Sequence, residues 1–251
     1  VTSLNNESFS LFDNKITMLL NLIESGNNDI DFVDIGSSDG TSESNSFLLA
    51  KSNCKGFCAE CDPVKFAAMK KCYEGIQNVR LSNERVTPSN VVPLLMESDV
   101  RTDFSFLSLD IDGYDYFVLE SLLNVYRPKL ICTEINEKIP YPVKFTVLYS
   151  DEYAWSGNHF YGMSLAKLED ICKHFNYKLI ELDLYNAFLC PEEVGPHALD
   201  FSEAYTLGYK NRKRPAYNAN VDHWLEIKDK KTLIDNIASF YHLYEGKYSI
   251  E

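Results

Sequence analysis

Basic residues are scarce in this 251-residue chain. Lys and Arg number 24 against 37 Asp and Glu, a formal net charge of −13. Nucleic acids and anionic membranes are held mainly through Lys and Arg, so this balance argues against both as non-specific partners and favours a small molecule or a saccharide. Long apolar runs are missing too. No stretch approaches the ~18 to 20 residues that span a bilayer, and no membrane span is expected. The seven cysteines are an odd set, too sparse for a disulfide scaffold, and they fit reduced thiols in a cytoplasmic compartment. No secretory leader is read at the start, although the first residue is Val1 rather than Met. Repeats, low-complexity tracts and flexible linkers are also lacking, so residues 1–251 read as one domain. Composition leaves a homo-oligomer open.

What is present is an alternation of strands and helices. Apolar positions from Leu11 to Glu24, among them Phe12, Ile16, Leu19, Leu20 and Ile23, have helical spacing. "IDFVDIG" reads as a buried strand and "TSESNSFLLAK" as a helix, then "KGFCAE" as a second strand. Asp62-Pro63 supplies an N-cap and a first-turn proline for the next helix. "NVRLSNERV", "FSFLSLDID" and "KLICTEIN" follow as strands three to five, with a segment broken at Pro93 and the helix "YFVLESLLNVY" between them. "SLAKLEDICKHF" reads as a helix capped by Ser164, and "YKLIELDL" and "NAFLC" close a sheet of about seven strands. The pattern predicts an α/β chain with a doubly wound, mostly parallel sheet. Its core spans about 11–190, a lid loop about 137–162, and a C-terminal helical elaboration about 191–251.

A ligand of such a sheet binds at the carboxyl ends of the strands. At the first of these ends lies "VDIGSSDG", where Gly36 and Gly40 let the backbone turn and approach a ligand, and Asp34 and Asp39 add carboxylates. The dinucleotide pattern G-x-G-x-x-G is not present, and these acids would repel a pyrophosphate. A cationic ligand fits better. About twenty residues on, Glu60 ends the second strand, where a carboxylate accepts from both hydroxyls of a ribose.

"CKGFCAEC" has the C-x3-C-x2-C spacing of a radical-enzyme iron–sulfur site. In a strand, however, Cys58 and Glu60 face one side and Cys61 the other, while Cys54 precedes the strand. Three thiolates so placed do not converge on a cluster, and packing cysteines are expected instead.

"VDIGSSDG", Glu60 and "FLSLDIDGYDYFVLESL" resemble the cofactor motifs of class I S-adenosylmethionine-dependent methyltransferases. A closer resemblance is to the FkbM-like enzymes that modify sugars and surface polysaccharides. It covers about Asp31 to Cys190 and includes "GMSLAKLEDICKHFNYKLIELDLYNAFLC". Where that group has D-x-E-G-x-E, this chain has Asp110-Ile111-Asp112-Gly113-Tyr114-Asp115. The resemblance implies a Rossmann-like methyltransferase fold and O-methylation of a sugar, a capsule or lipopolysaccharide component, or a related small molecule. By it, Asp34, Gly36, Ser37, Asp39 and Gly40 surround the methionine part of S-adenosylmethionine, Glu60 holds the ribose, Asn83 or Glu84 lies near the adenine, and Asp110 joins the cofactor set.

Methyl transfer needs an in-line arrangement and removal of the acceptor's proton. Asp110 and Asp112 end strand four, Glu134 and Asn136 end strand five, and the lid brings His159. Two arrangements remain open. In one, His159, Asp110 or Asp112 is the general base. In the other, Asp112, Glu134, Asn136 and His159 hold Mg²⁺ or Mn²⁺. "KNRKR", Lys210 to Arg214, is either a solvated surface or a phosphate site for a phosphorylated or nucleotide-linked acceptor. A nicotinamide-dependent oxidoreductase and a non-catalytic partner subunit are the competing readings of the whole.

Overall fold

A computed structural model describes residues 11–23, 29–42 and 44–251, with side chains described from residue 15 onward. The Phe12 side chain, Glu24 and Glu43, each part of an expected helix, lie outside the described residues.

The chain runs α1 (Leu11–Ile23), β1 (Asp31–Ile35), α2 (Phe47–Lys51), β2 (Lys55–Ala59), α3 (Pro63–Cys72), β3 (Val79–Ser82), α4 (Val91–Glu97), β4 (Phe106–Leu109), α5 (Asp115–Leu123) and β5 (Leu130–Glu134). It continues through β6 (Phe145–Val147), α6 (Leu165–Phe175), β7 (Tyr177–Asp183), β8 (Asn186–Pro191), α7 (Phe201–Tyr205), a π-helical turn (Thr206–Lys210), α8 (Lys230–Phe240) and β9 (Tyr248–Ile250).

The seven-stranded sheet has the order β3-β2-β1-β4-β5-β8-β7. Strands β1 to β5 pair in parallel, and β8 runs antiparallel to both β5 and β7. This is the expected doubly wound α/β sheet of the Rossmann-like methyltransferase fold. Strand order reverses between β1 and β4, which opens a crevice at their carboxyl ends.

Period-two alternation assigns the two layers. Val33, Ile35, Leu107, Leu109 and Ile131 face α4, α5 and α6 through Leu95, Leu119 and Leu168. Phe32, Cys58, Phe106, Cys132 and Phe188 face the other way, onto Leu20, Leu49 and Met69 of α1, α2 and α3.

Three expectations change. The helix read from Thr41 to Lys51 is only Phe47–Lys51. Asp39 accepts from the amides of Thr41 and Ser42, and Ser44 Oγ from those of Ser46 and Phe47. These short polar side chains offer the backbone local partners that compete with helix formation. Pro93 does not break its segment; it occupies the first turn of α4, where a missing N–H costs nothing. The lid at 137–162 is not a free loop either. Its β6 pairs antiparallel with β9, and Phe145, Val147 and Phe160 pack with Trp224, Leu233, Ile237 and Tyr241 of the C-terminal elaboration. Each such side chain contributes about 1.5–3 kcal/mol through burial, so the base of the lid stays put. Its tip is exposed from Asp151 to Gly157 except at Tyr153.

Candidate functional site

The turn after β1 is built by glycines. Gly36 and Gly40 adopt φ of 89° and 81°, conformations that side chains disfavour. The amides of Gly36 and Ser37 both donate to Ala59 O, at 2.9 and 3.1 Å, which staples the turn to the end of β2. Ser37 Oγ donates to Asp34 O. Glu60 is almost fully buried beside this turn, accepting from Ser38 N at 2.9 Å and from Asp62 N at 2.7 Å. Asn83 Nδ2 donates to Glu60 O at 2.7 Å and so ties β3 to the same edge, whereas Glu84 is exposed.

Asp34 and Asp39 are occupied within the fold. Asp34 faces the α2 layer, where its carboxylate accepts from Ser46 Oγ at 2.5 Å; burial pushes it up to about 6. Asp39 caps the turn at Thr41 and Ser42, and those hydrogen bonds hold it below the usual carboxylate range.

Beyond Gly36 the ends of β4 and β5 bring three carboxylates together. Oxygens of Asp110, Asp112 and Glu134 lie within 4.8 Å of one another. Burial, and then repulsion among these acids, pushes Asp110 and Glu134 well above the carboxylate range. Glu134 Oε2 is buried with no hydrogen-bond partner. Asp115, which the sequence reading did not single out, supports the loop: it accepts from Ile111 N and Gly113 N, both at 2.9 Å, and burial pushes it up to about 6. Its spacing after Asp110 in "DIDGYD" was the available signal.

His159 does not join this cluster, where it was expected as a ligand. Its Nε2 lies 3.0 Å from Asn220 Oδ1, and the ring packs near Tyr217 and Phe240. The C-terminal elaboration supplies these partners, and local sequence could not foretell them. Asn136 spends its amide nitrogen on the lid, donating to His159 O at 2.9 Å and Tyr161 O at 3.0 Å, while its Oδ1 is buried without a partner. Of the expected metal set, Asp112 and Glu134 converge, with Asp110 as a third carboxylate. Their all-oxygen chemistry and the unpartnered Glu134 oxygen fit a hard divalent ion.

The lid contributes residues that sequence reasoning missed. Tyr153 Oη donates to Asp112 O and Phe160 O, at 2.9 and 2.8 Å, and its ring lies against Gly113. Arg85 reaches across to Tyr153 O and donates to Tyr114 Oη at 3.0 Å. Behind the carboxylates, Glu137 and Lys138 form a buried ion pair at 3.1 Å. Tyr161 Oη donates to Glu137 at 2.8 Å, Lys138 also contacts Tyr161, and Asn218 Nδ2 donates to Glu137 at 3.1 Å.

Among the described residues, no cysteine of "CKGFCAEC" belongs to a group with metal-ligand spacing. All seven cysteines are free, Cys58 is buried on β2, and Cys61 is exposed. Two of the basic residues of "KNRKR" are paired internally, Arg212 with Asp183 and Arg214 with Asp222. No described helix is long and apolar enough to cross a membrane.

No protein-family profile matches this chain, and no curated sequence matches it significantly. Solved structures similar to it include the N-terminal domain of EvdMO1 with SAH bound, at 11% identity, 75% of this chain, 81% of that one and a TM-score of 0.47. A S-adenosylmethionine-dependent methyltransferase from Clostridium acetobutylicum shares 12% identity over 72% of this chain and 89% of its own, with a TM-score of 0.44. TrmK of M. capricolum with S-adenosylhomocysteine shares 12% identity over 93% and 87%, with a TM-score of 0.46. Likeness this distant assigns no residue a role; the sheet order itself carries the fold.

Proposed function

We propose that this protein is an S-adenosylmethionine-dependent methyltransferase, a single FkbM-like domain of the cytoplasm that methylates oxygen on a sugar, a polysaccharide component or a related small molecule. The observation that carries the reading is the excess of carboxylate at the carboxyl edge of the sheet. Asp110, Asp112 and Glu134 converge there beside the Gly36 turn, with one Glu134 oxygen buried and unbonded. Such an edge stabilises a cation and repels a pyrophosphate.

When bound, S-adenosylmethionine supplies an electrophilic methyl on a sulfonium centre. Gly36 and Gly40 give the backbone room to lie against it, Glu60 accepts the ribose hydroxyls, Asn83 holds the β2 and β3 ends in register, and the acids nearby balance positive charge. Glu60 would exchange its present bonds from Ser38 N and Asp62 N for those hydroxyls. Asp110 or Asp112, at the end of β4, would take the proton of an acceptor hydroxyl when no metal is bound. Asp110, Asp112 and Glu134 would hold Mg²⁺ or Mn²⁺, which lowers the pKa of a bound hydroxyl. His159, turned to Asn220, is left as a lid residue.

Calorimetric titration of chelator-treated protein with S-adenosylhomocysteine, repeated with Mn²⁺, tests the reading. Micromolar binding is expected. Absence of binding under both conditions overturns it.

A further inference from the structure

A cavity of about 340 Å³ opens away from the carboxylate crevice, between the turn at Pro140–Val143, the α7 and π-helical segment, and the start of α8. Its wall is unusual for so acidic a chain. Lys210, Lys228 and Lys230 line it, and no carboxylate does. Pro140, Pro142 and Leu233 add apolar surface.

Local structure explains how Lys210 gets there. Gly208 lies against β7, where a Cβ would come within 2.4 Å of Leu182 O, and its carbonyl accepts from Leu184 N. This close seating goes with a π-helical turn from Thr206 to Lys210, a rare geometry that often marks functional sites. The Lys210 ammonium donates to Leu225 O at 3.3 Å, which spans two walls of the cavity and leaves further N–H groups for a ligand. Lys228 and Lys230 are exposed at the mouth. Two acids beside the lining are already engaged: Asp229 caps α8 through Thr232, and Glu169 accepts from Tyr141 and pairs with Lys173.

The geometry points to a binding site for a phosphate-bearing small molecule, a sugar phosphate or a pyrophosphate-linked sugar, with the phosphate among the three lysines and the remainder against the prolines. The site is separate from the carboxylate crevice and does not depend on the transferase reading. It gives part of the basic run a role: Lys210 serves the cavity, while Arg212 and Arg214 serve the fold.

Calorimetric titration of the full chain with glucose 1-phosphate, pyrophosphate and glucose tests the site. Both phosphates bind and glucose does not, and affinity drops about tenfold between low and high salt. K210Q/K228Q/K230Q weakens phosphate binding by at least about tenfold, whereas K51Q/K70Q/K71Q, with the same charge change on α2 and α3, stays within about twofold. Glu60→Gln leaves phosphate binding unchanged, which separates this cavity from the crevice. Should the triple variant fail to fold, K228Q alone weakens binding about threefold. No phosphate binding, or equal weakening in the two triple variants, overturns the proposal.

Discussion

Gly36 and Asp110 touch backbone to backbone: a Cβ built on Gly36 would come within 1.6 Å of Asp110 O. The Asp110 amide donates to Ile35 O at 3.0 Å, so the ends of β1 and β4 are locked together where the strand order reverses. The same contact presents Asp110 to Asp112 and Glu134. Fold and candidate site therefore depend on one glycine.

Replacing it is expected to be severe. Gly36→Ala must move backbone on a central strand and places a side chain at φ of 89°, so a loss of at least about 3 kcal/mol in urea unfolding is expected. Gly75→Ala is the control. It too has positive φ, but a Cβ there meets nothing within 4 Å, so only the strain of about 1 kcal/mol remains.

Glu60→Gln keeps an acceptor oxygen but exchanges the other for a donor facing a backbone amide. The ordinary cost of such a mismatch is about 1–3 kcal/mol, and the protein should still fold. S-adenosylhomocysteine affinity, measured by calorimetry, should drop at least about tenfold, because the ribose loses a charged partner. Unchanged affinity would falsify the ribose assignment.

The buried acids set a pH dependence of stability. Asp34 and Asp115 titrate near 6 in the fold through burial, above their unfolded values near 4. The native state therefore binds more protons than the unfolded chain between those limits, and stability falls as pH rises from about 4 to about 6. Each group should make the protein about 1 kcal/mol more stable at pH 5 than at pH 7.5. His159, held below its usual range by burial and Lys138, opposes the trend as it charges on the acid side. Asp110→Asn should raise stability at pH 7.5 and flatten the profile, read from urea midpoints, since it removes one of three crowded carboxylates.

The Glu137–Lys138 pair should behave as a unit. Lys138→Met strands a buried carboxylate and is expected to cost about 3–5 kcal/mol. Glu137→Gln/Lys138→Met removes both charges and should cost less than the single change. A double variant that loses the sum of the two single effects would mean the charges do not interact.

The alternation of strands and helices, the glycine turn and the acids at the strand ends were legible because each rests on short-range rules: side-chain periodicity, backbone freedom at glycine, capping at Asp62 and Ser164. Glu60, Asp110, Asp112 and Glu134 were reached in this way, as residues that end parallel strands. Burial lengths were less legible. The stretch from Thr41 to Ser46 reads into the following helix only by its place between two strands; its Ser, Thr and Asn residues are poor helix formers, and Ser44 and Asp39 bond the backbone locally instead.

What the sequence determined by itself is which residues stand at the carboxyl edge, since strand ends follow from local pattern. Only the tertiary structure decided which of them meet. His159 turns to Asn220, 61 residues away, and Asp34 to Ser46. Strand β6 pairs with β9, at the far end of the chain. Direction and partner depend on contacts between distant segments, where burial, hydrogen bonding and repulsion are settled together.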